Sequence, residues 1–233
     1  MRHNAGMGAA KETAPAWPVT LGEIDAILAR AAGLPAGAAH ERLAPAPRPG
    51  WDPGVVAADA RPAAALVLLL DRGPGPAVLL TVRGVGLRRH AGQISFPGGR
   101  VEDGETIAGA ALREAAEEVG LPAGAARIVA PLSPLYIPVS GFGLQPFVAL
   151  CAAPPERWIA QPEEVARIVE VPLTLLADPA SLGVERRSVG GVDYRIPYLR
   201  VGPDKVWGAT AMVLAELLWL LGRPPRAAAE EDA

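Results

Sequence analysis

The chain has 233 residues, half of them hydrophobic, with a formal net charge of −3. A sizeable core can form, and the mild acidity with no basic run argues against a nucleic-acid partner. The one cysteine, Cys151, excludes an intrachain disulfide and a multi-cysteine zinc site.

Residues 1–18 are expected to be a disordered N-terminal segment. They lack the apolar stretch of a secretory signal. The apolar runs near 63–70 and 211–221 are too short to span a bilayer, so no membrane partner is expected and the cytoplasm is the expected location. Residues 19–60 are expected to hold an N-terminal helix and an irregular connection. In TLGEIDAILARAAG, Thr20 is a plausible N-cap, Leu21, Ile24, Ile27 and Leu28 fall at helical spacing, and Gly33 is the stop. The stretch 33–62 is rich in Pro, Ala and Gly and reads as irregular.

The main domain is expected over 61–222. AAALVLLLD (63–71) and AVLLTVR (77–83) predict two buried strands joined by the turn RGPGP. Residues 84–104 read as a Gly-rich loop and 105–119 as a helix. Strands follow at 126–137 and 144–153, with Cys151 as a small buried hydrophobe in the second. Residues 163–176 predict a strand that turns into a short helix after Pro172, and 192–201 one or two short strands. A helix over 205–222 presents Val206, Val213, Leu217 and Leu220 on one face and ends at Gly222 and Pro224. Residues 223–233 are expected to be a disordered tail. The fold class is a single α/β domain with a mixed β-sheet and a few flanking helices.

The helix over 105–119 concentrates acid. Glu114 and Glu118 are four apart and Glu114 and Glu117 three apart, which puts their carboxylates on one face. Such crowding repels, with Arg113 a partial offset, unless a hard divalent cation takes the oxygens. The opposite face, Ile107, Ala111, Leu112, Ala115 and Val119, is suited to packing on a sheet. Taken alone, the acids would read as a solvated charged face, since such runs are common. The upstream FPGG, Phe96 to Gly99, makes the signal composite, because adjacent glycines allow close approach of the backbone to a ligand.

Gly99, Glu105 and the run Arg113-Glu114-Ala115-Ala116-Glu117-Glu118-Val119-Gly120-Leu121 resemble the Nudix box. Every fixed position is present, and Ala115 is small where a larger aliphatic residue is usual. The resemblance implies an α/β/α sandwich that hydrolyses a nucleoside diphosphate linked to another moiety, with Mg2+ or Mn2+. It further implies Glu114, Glu117, Glu118 and the Gly98 carbonyl as metal ligands, and a structural salt bridge between Glu105 and Arg113. The preceding stretch LLTVRGVGLRRHAGQISFPGG (79–99) resembles the signature of coenzyme A diphosphatases, with Gly84 where Ser or Ala is usual. KVWGATA (205–211) and PEEVARIVEVPL (162–173) are similar to that group as well.

The implied partner is a small molecule, coenzyme A or an acyl or oxidised derivative, cleaved to phosphopantetheine and adenosine 3′,5′-bisphosphate; a homodimer is left open. Arg83 and Arg88 are the candidate phosphate ligands, since guanidinium forks match phosphate oxygens. Phe96 and Gly99 complete the expected substrate-binding set. Glu117 and Glu118 are the expected catalytic carboxylates. A general base outside the box falls to Glu163 or Glu164, with Glu164 favoured. Two alternatives stand beside this: a pyrophosphatase for ADP-ribose or dinucleotides, and a non-catalytic nucleotide-sensing module, which would have no need of the intact acid set.

Overall fold

A computed structural model of the protein describes residues 20–31, 36–84 and 92–225. Gly33, Arg88 and the segments 1–19 and 226–233 lie outside the described residues.

Helix α1 spans Leu21–Leu28. Thr20 caps it in a capping box: its hydroxyl accepts from the Glu23 amide while the Glu23 carboxylate accepts from the Thr20 amide. Helix α2, Ala36–Leu43, stands where the sequence predicted an irregular connection. Its Pro, Gly and Ala surroundings masked it; what holds it is tertiary, the burial of Ala39, His40 and Leu43.

Strands β1 (Arg61–Asp71) and β2 (Pro76–Arg83) form the predicted antiparallel hairpin, but they pair only near the turn, from Leu69↔Val78 to Asp71↔Pro76. Beyond it they diverge. Two short strands that the sequence reading missed fill the fork: β3 (Ile94–Ser95) pairs with β2, and β4 (Gly98–Arg100) pairs with β1. The FPGG segment is thus a wedge in a split sheet, not a loop. Helix α3 covers Ile107–Val119. The predicted strand at 126–137 is two, β5 (Arg127–Pro131) and β6 (Leu135–Ile137), and both pair with β7 (Phe142–Cys151), which runs parallel to β1. β8 (Val165–Pro172) pairs with the outer edge of β2 and leads directly into helix α4, Leu173–Ala177, as predicted.

A second, three-stranded sheet follows. β9 (Leu182–Val189) was not predicted, β10 (Val192–Val201) is one continuous strand, and β11 (Asp204–Trp207) takes the residues expected to open the last helix. Helix α5 is therefore Gly208–Leu220, and Val206 belongs to a strand rather than a helix face. α5 is buried on nearly all sides from Ala211 to Leu218, so its sequence lacks the polar stripe of a surface helix.

Both faces of the main sheet are covered. Ala65, Val67 and Leu69 of β1 point into a core shared with α1 and α5, while Ala64, Leu66, Leu68 and Leu70 point into a second core under α3. This alternation of two buried faces is why β1 reads as an unbroken apolar run. The result is a three-layered α/β sandwich with a mixed sheet, the expected fold class. α3 meets its sheet through Ala110, Ala111 and Ala115, all fully buried. Small side chains bring the helix close to the strands, and Ala115 belongs to this contact. Ile107, expected on the same face, is exposed at the helix start. Cys151 is buried, as expected. Among the described residues no helix is long and apolar enough to cross a membrane.

Candidate active site

The acidic helix α3 begins at Thr106, whose hydroxyl accepts from the Gly109 amide, and ends at Gly120 in the left-handed conformation that favours glycine. Between these caps the wedge β4 runs against the helix. A Cβ on Gly99 would lie 2.3 Å from a carboxylate oxygen of Glu114, and one on Gly98 would lie 2.3 Å from the Ala64 carbonyl oxygen. The two glycines have separate reasons: Gly98 makes room for the neighbouring strand, Gly99 for a carboxylate.

Arg113 organises the rim. Its Nε donates to Glu105 Oε1 at 3.0 Å, and its Nη2 donates to Glu105 Oε2 at 3.1 Å and to the Arg100 carbonyl at 3.0 Å. Its Nη1 donates to Glu114 at 3.1 Å and Glu117 at 2.9 Å. These bonds use every N–H of the guanidinium. The Arg113 bond, chief among several causes, holds the Glu105 carboxyl below its ordinary range, and the Glu105 bond in turn raises Arg113. Residue Glu105 sits in the turn before α3, so the pair clamps that turn, the helix and β4 together.

The three helix carboxylates differ in environment. Glu117 is largely exposed at the rim. Glu114 is mostly covered, and burial raises its carboxyl against the lowering effect of Arg113. Glu118 is 3% exposed, and burial, then the charges of Glu114 and Glu164, push it up to about 8. Arg83 and the Gly98 amide, which hydrogen-bonds the Glu118 carboxylate, oppose that rise. Even so, Glu118 Oε2 is buried without a hydrogen-bond partner. Among the described residues no group of three or more His, Cys, Asp and Glu side chains is gathered closely enough to hold a metal ion as it stands, and Arg113 occupies Glu114 and Glu117.

Two further predicted residues arrive from elsewhere in the fold. Arg83 ends β2, half-buried, at a register shift between β2 and β8 where Val82 pairs Arg167 but Arg83 pairs Val165. Such an irregularity re-aims side chains locally. The Arg83 Nε is buried without a partner, and its charge acts on Glu118. Glu164 precedes β8; its carbonyl accepts from the Gly84 amide at 2.8 Å, and its carboxylate acts on Glu118 and Glu114. Glu163 is exposed. The structure thus brings Glu114, Glu118, Glu164 and Arg83 together, with Glu117 at the edge.

The family model described as NUDIX domain matches residues 60–189. The protein named uncharacterized Nudix hydrolase NudL from Escherichia coli O7:K1 is 37% identical over 167 residues, covering 70% of this chain and 84% of that protein. The protein of the same name from Salmonella paratyphi B is 38% identical over the same coverage. This chain belongs to the Nudix hydrolase family. Among solved structures, the Nudix hydrolase RenU from M. smegmatis is 25% identical, covering 56% of this chain and 84% of that one with a TM-score of 0.44. Membership makes the chain a diphosphate hydrolase of a family that generally needs divalent metal ions.

Within this Nudix domain one residue of the expected site sits in the core and another lies outside the described residues. Phe96 was expected among the substrate-binding residues, but its ring is buried in the core on the α1 and α5 side of the sheet. It anchors the wedge instead, because the first residue of FPGG turns into that core as the strand enters the fork. Arg88 lies outside the described residues. Gln161 was missed: its amide donates to the Glu118 carbonyl at 3.0 Å, while its own carbonyl accepts from the Glu164 amide at 3.1 Å. Arg61 and Arg100, both over the Phe142 ring next to the wedge, were missed as well. No spacing in the sequence announces such contacts; they follow only from strand pairing.

Proposed function

We propose that this Nudix hydrolase cleaves the diphosphate of coenzyme A or an acyl or oxidised derivative, giving phosphopantetheine and adenosine 3′,5′-bisphosphate, with Mg2+ or Mn2+. The observation that carries the reading is Arg83. It belongs to the LLT-x-R stretch that resembles coenzyme A diphosphatases, and its charge acts on Glu118 while its Nε is buried and unpartnered. A buried, unpartnered donor beside the carboxylates suits a polyanionic substrate, whose phosphate oxygens would satisfy it.

The donor set fits a hard cation. Glu118 offers a buried oxygen with no partner, and Gly99 leaves room for Glu114. Glu114, Glu117 and Glu118, with the Gly98 carbonyl, are the residues that would hold the ion, which when bound polarises the diphosphate and offsets its charge. Arg83 would orient a phosphate oxygen. Glu164, facing the same space, would accept the proton of the attacking water as its oxygen bonds to one phosphorus and the bridging P–O bond breaks. Arg113 and Glu105 keep the helix and wedge in place and do not touch the reacting atoms.

The test is product chromatography with coenzyme A, ADP-ribose and NADH side by side, with Mg2+ and with Mn2+. Adenosine 3′,5′-bisphosphate from coenzyme A as the fastest reaction supports the reading. Faster hydrolysis of ADP-ribose or NADH overturns it in favour of another Nudix pyrophosphatase.

A further inference from the structure

Glu164 stands at the end of a loop, residues 152–164, that joins β7 to β8. A loop of that length, held only at its ends, would leave a side chain near the end free to wander. This one is fixed in its middle by a cluster outside the carboxylate site. Arg72, just past β1, donates from Nε to Glu170 Oε2 at 2.8 Å and from Nη2 to Glu170 Oε1 at 2.6 Å. The same Nη2 donates to the Pro155 carbonyl at 2.8 Å. Trp158 Nε1 donates to Glu170 Oε1 at 2.6 Å. One carboxylate on β8 thereby ties the turn after β1 to the loop indole, and one guanidinium ties that turn to the loop backbone.

From this staple the loop passes straight onto the end of the acidic helix. The Ile159 amide donates to the Val119 carbonyl at 3.1 Å, and the Gln161 amide to the Glu118 carbonyl at 3.0 Å. Both acceptors belong to the last turn of α3, where carbonyls lack intrahelical partners. Gln161 then accepts from the Glu164 amide at 3.1 Å. A continuous chain of bonds leads from Glu170 through Trp158 to the helix end and on to Glu164.

We propose that Trp158, Glu170 and Arg72 are positioning residues for the hydrolytic reaction, holding the loop so that Glu164 faces the carboxylates of α3. The proposal rests on reading Glu164 as the proton acceptor. The substitution Trp158→Phe removes the indole N–H and keeps an aromatic ring. It should raise amide hydrogen exchange across 152–164 and lower kcat about tenfold with KM unchanged, since a small misplacement of a reacting group costs turnover. Arg72→Lys, which cannot bridge Glu170 and Pro155 as a fork does, should act in the same direction. The decisive measurement is a double-mutant cycle with Glu164→Gln, using coenzyme A or, where it is turned over faster, ADP-ribose. In the Glu164→Gln background Trp158→Phe should lower kcat no further. An equal loss in both backgrounds, unchanged kcat, or unchanged exchange in the loop overturns the positioning role. Full kcat in Glu164→Gln alone overturns instead the reading of Glu164, and the positioning role with it.

Discussion

At the scale of single residues, the FPGG wedge divides into three jobs that the sequence presents as one motif. Phe96 anchors in the core, Gly98 makes way for the Ala64 carbonyl, and Gly99 makes way for Glu114. The two glycines should therefore fail differently. A methyl on Gly99 meets only the end of a flexible side chain, which can swing aside and leave its place by the wedge. Gly99→Ala should keep the melting temperature near that of the parent and lower kcat/KM about 10–100-fold, the range seen when the support of a metal ligand is disturbed. A methyl on Gly98 meets backbone on β1, which cannot move without parting the fork. Gly98→Ala should cost about 1–3 kcal/mol of stability as well as activity. Urea unfolding and steady-state kinetics on the two variants separate these outcomes, and equal loss of stability in both would contradict the division.

At the scale of elements, the legible ones were those whose pattern is local. α1 announces itself through Thr20 and Glu23, α3 through its helix formers and Gly120, and the β1–β2 hairpin through apolar runs around a Gly-Pro turn. The missed ones are held from outside. β3 and β4 exist because β1 and β2 diverge, and β9 exists because β10 pairs it from Leu182 to Val189. α2 is the clearest case, since a short segment with little apolar stripe is pinned by a buried polar contact. His40 is fully buried, its Nε2 lies 3.0 Å from Glu216 Oε2 on α5, and Glu216 also accepts from the Ser133 amide and hydroxyl. His40 Nε2 and the Ser133 amide and hydroxyl all converge on this one side chain. One side chain on α5 thus joins α2 and the β5–β6 turn. Glu216→Ala strands the buried His40 ring and the half-buried Ser133 donors at once and should destabilise by about 2–5 kcal/mol, measured by chemical denaturation. Glu216→Gln keeps an acceptor oxygen and should lose less. The same holds for the site: the Nudix box residues on α3 could be read from spacing, whereas the approach of Arg83 and Glu164 depends on the pairing of β2 with β8.

At the scale of the whole molecule, the acid cluster should make stability depend on pH and, if it holds the proposed ion, on divalent cations. Glu118 is the dominant group, because burial and the charges of Glu114 and Glu164 push its carboxyl from the ordinary carboxylate range up to about 8 in the folded chain. The sign follows from proton binding. Below the ordinary carboxylate range, folded and unfolded chains both carry the proton and the site costs nothing. As pH rises toward 8 the unfolded chain has released its proton while the folded chain keeps it, so stability falls steadily across that window and levels off above it. With chelator present, the melting temperature should therefore be lower at pH 8 than at pH 5, and Glu118→Gln, which cannot ionise, should flatten that slope. Glu114, raised chiefly by burial, adds to the slope in the same direction. A divalent cation at the proposed site should reverse it: binding to ionised carboxylates would stabilise only the folded chain, and more so at pH 8, where fewer protons compete. Thermal scans at both pH values, with chelator and with millimolar Mg2+ or Mn2+, test the linkage without any substrate. A slope that persists in Glu118→Gln would assign the pH dependence to other groups. A melting temperature indifferent to either cation at pH 8 would remove the acid cluster on α3 as the metal site.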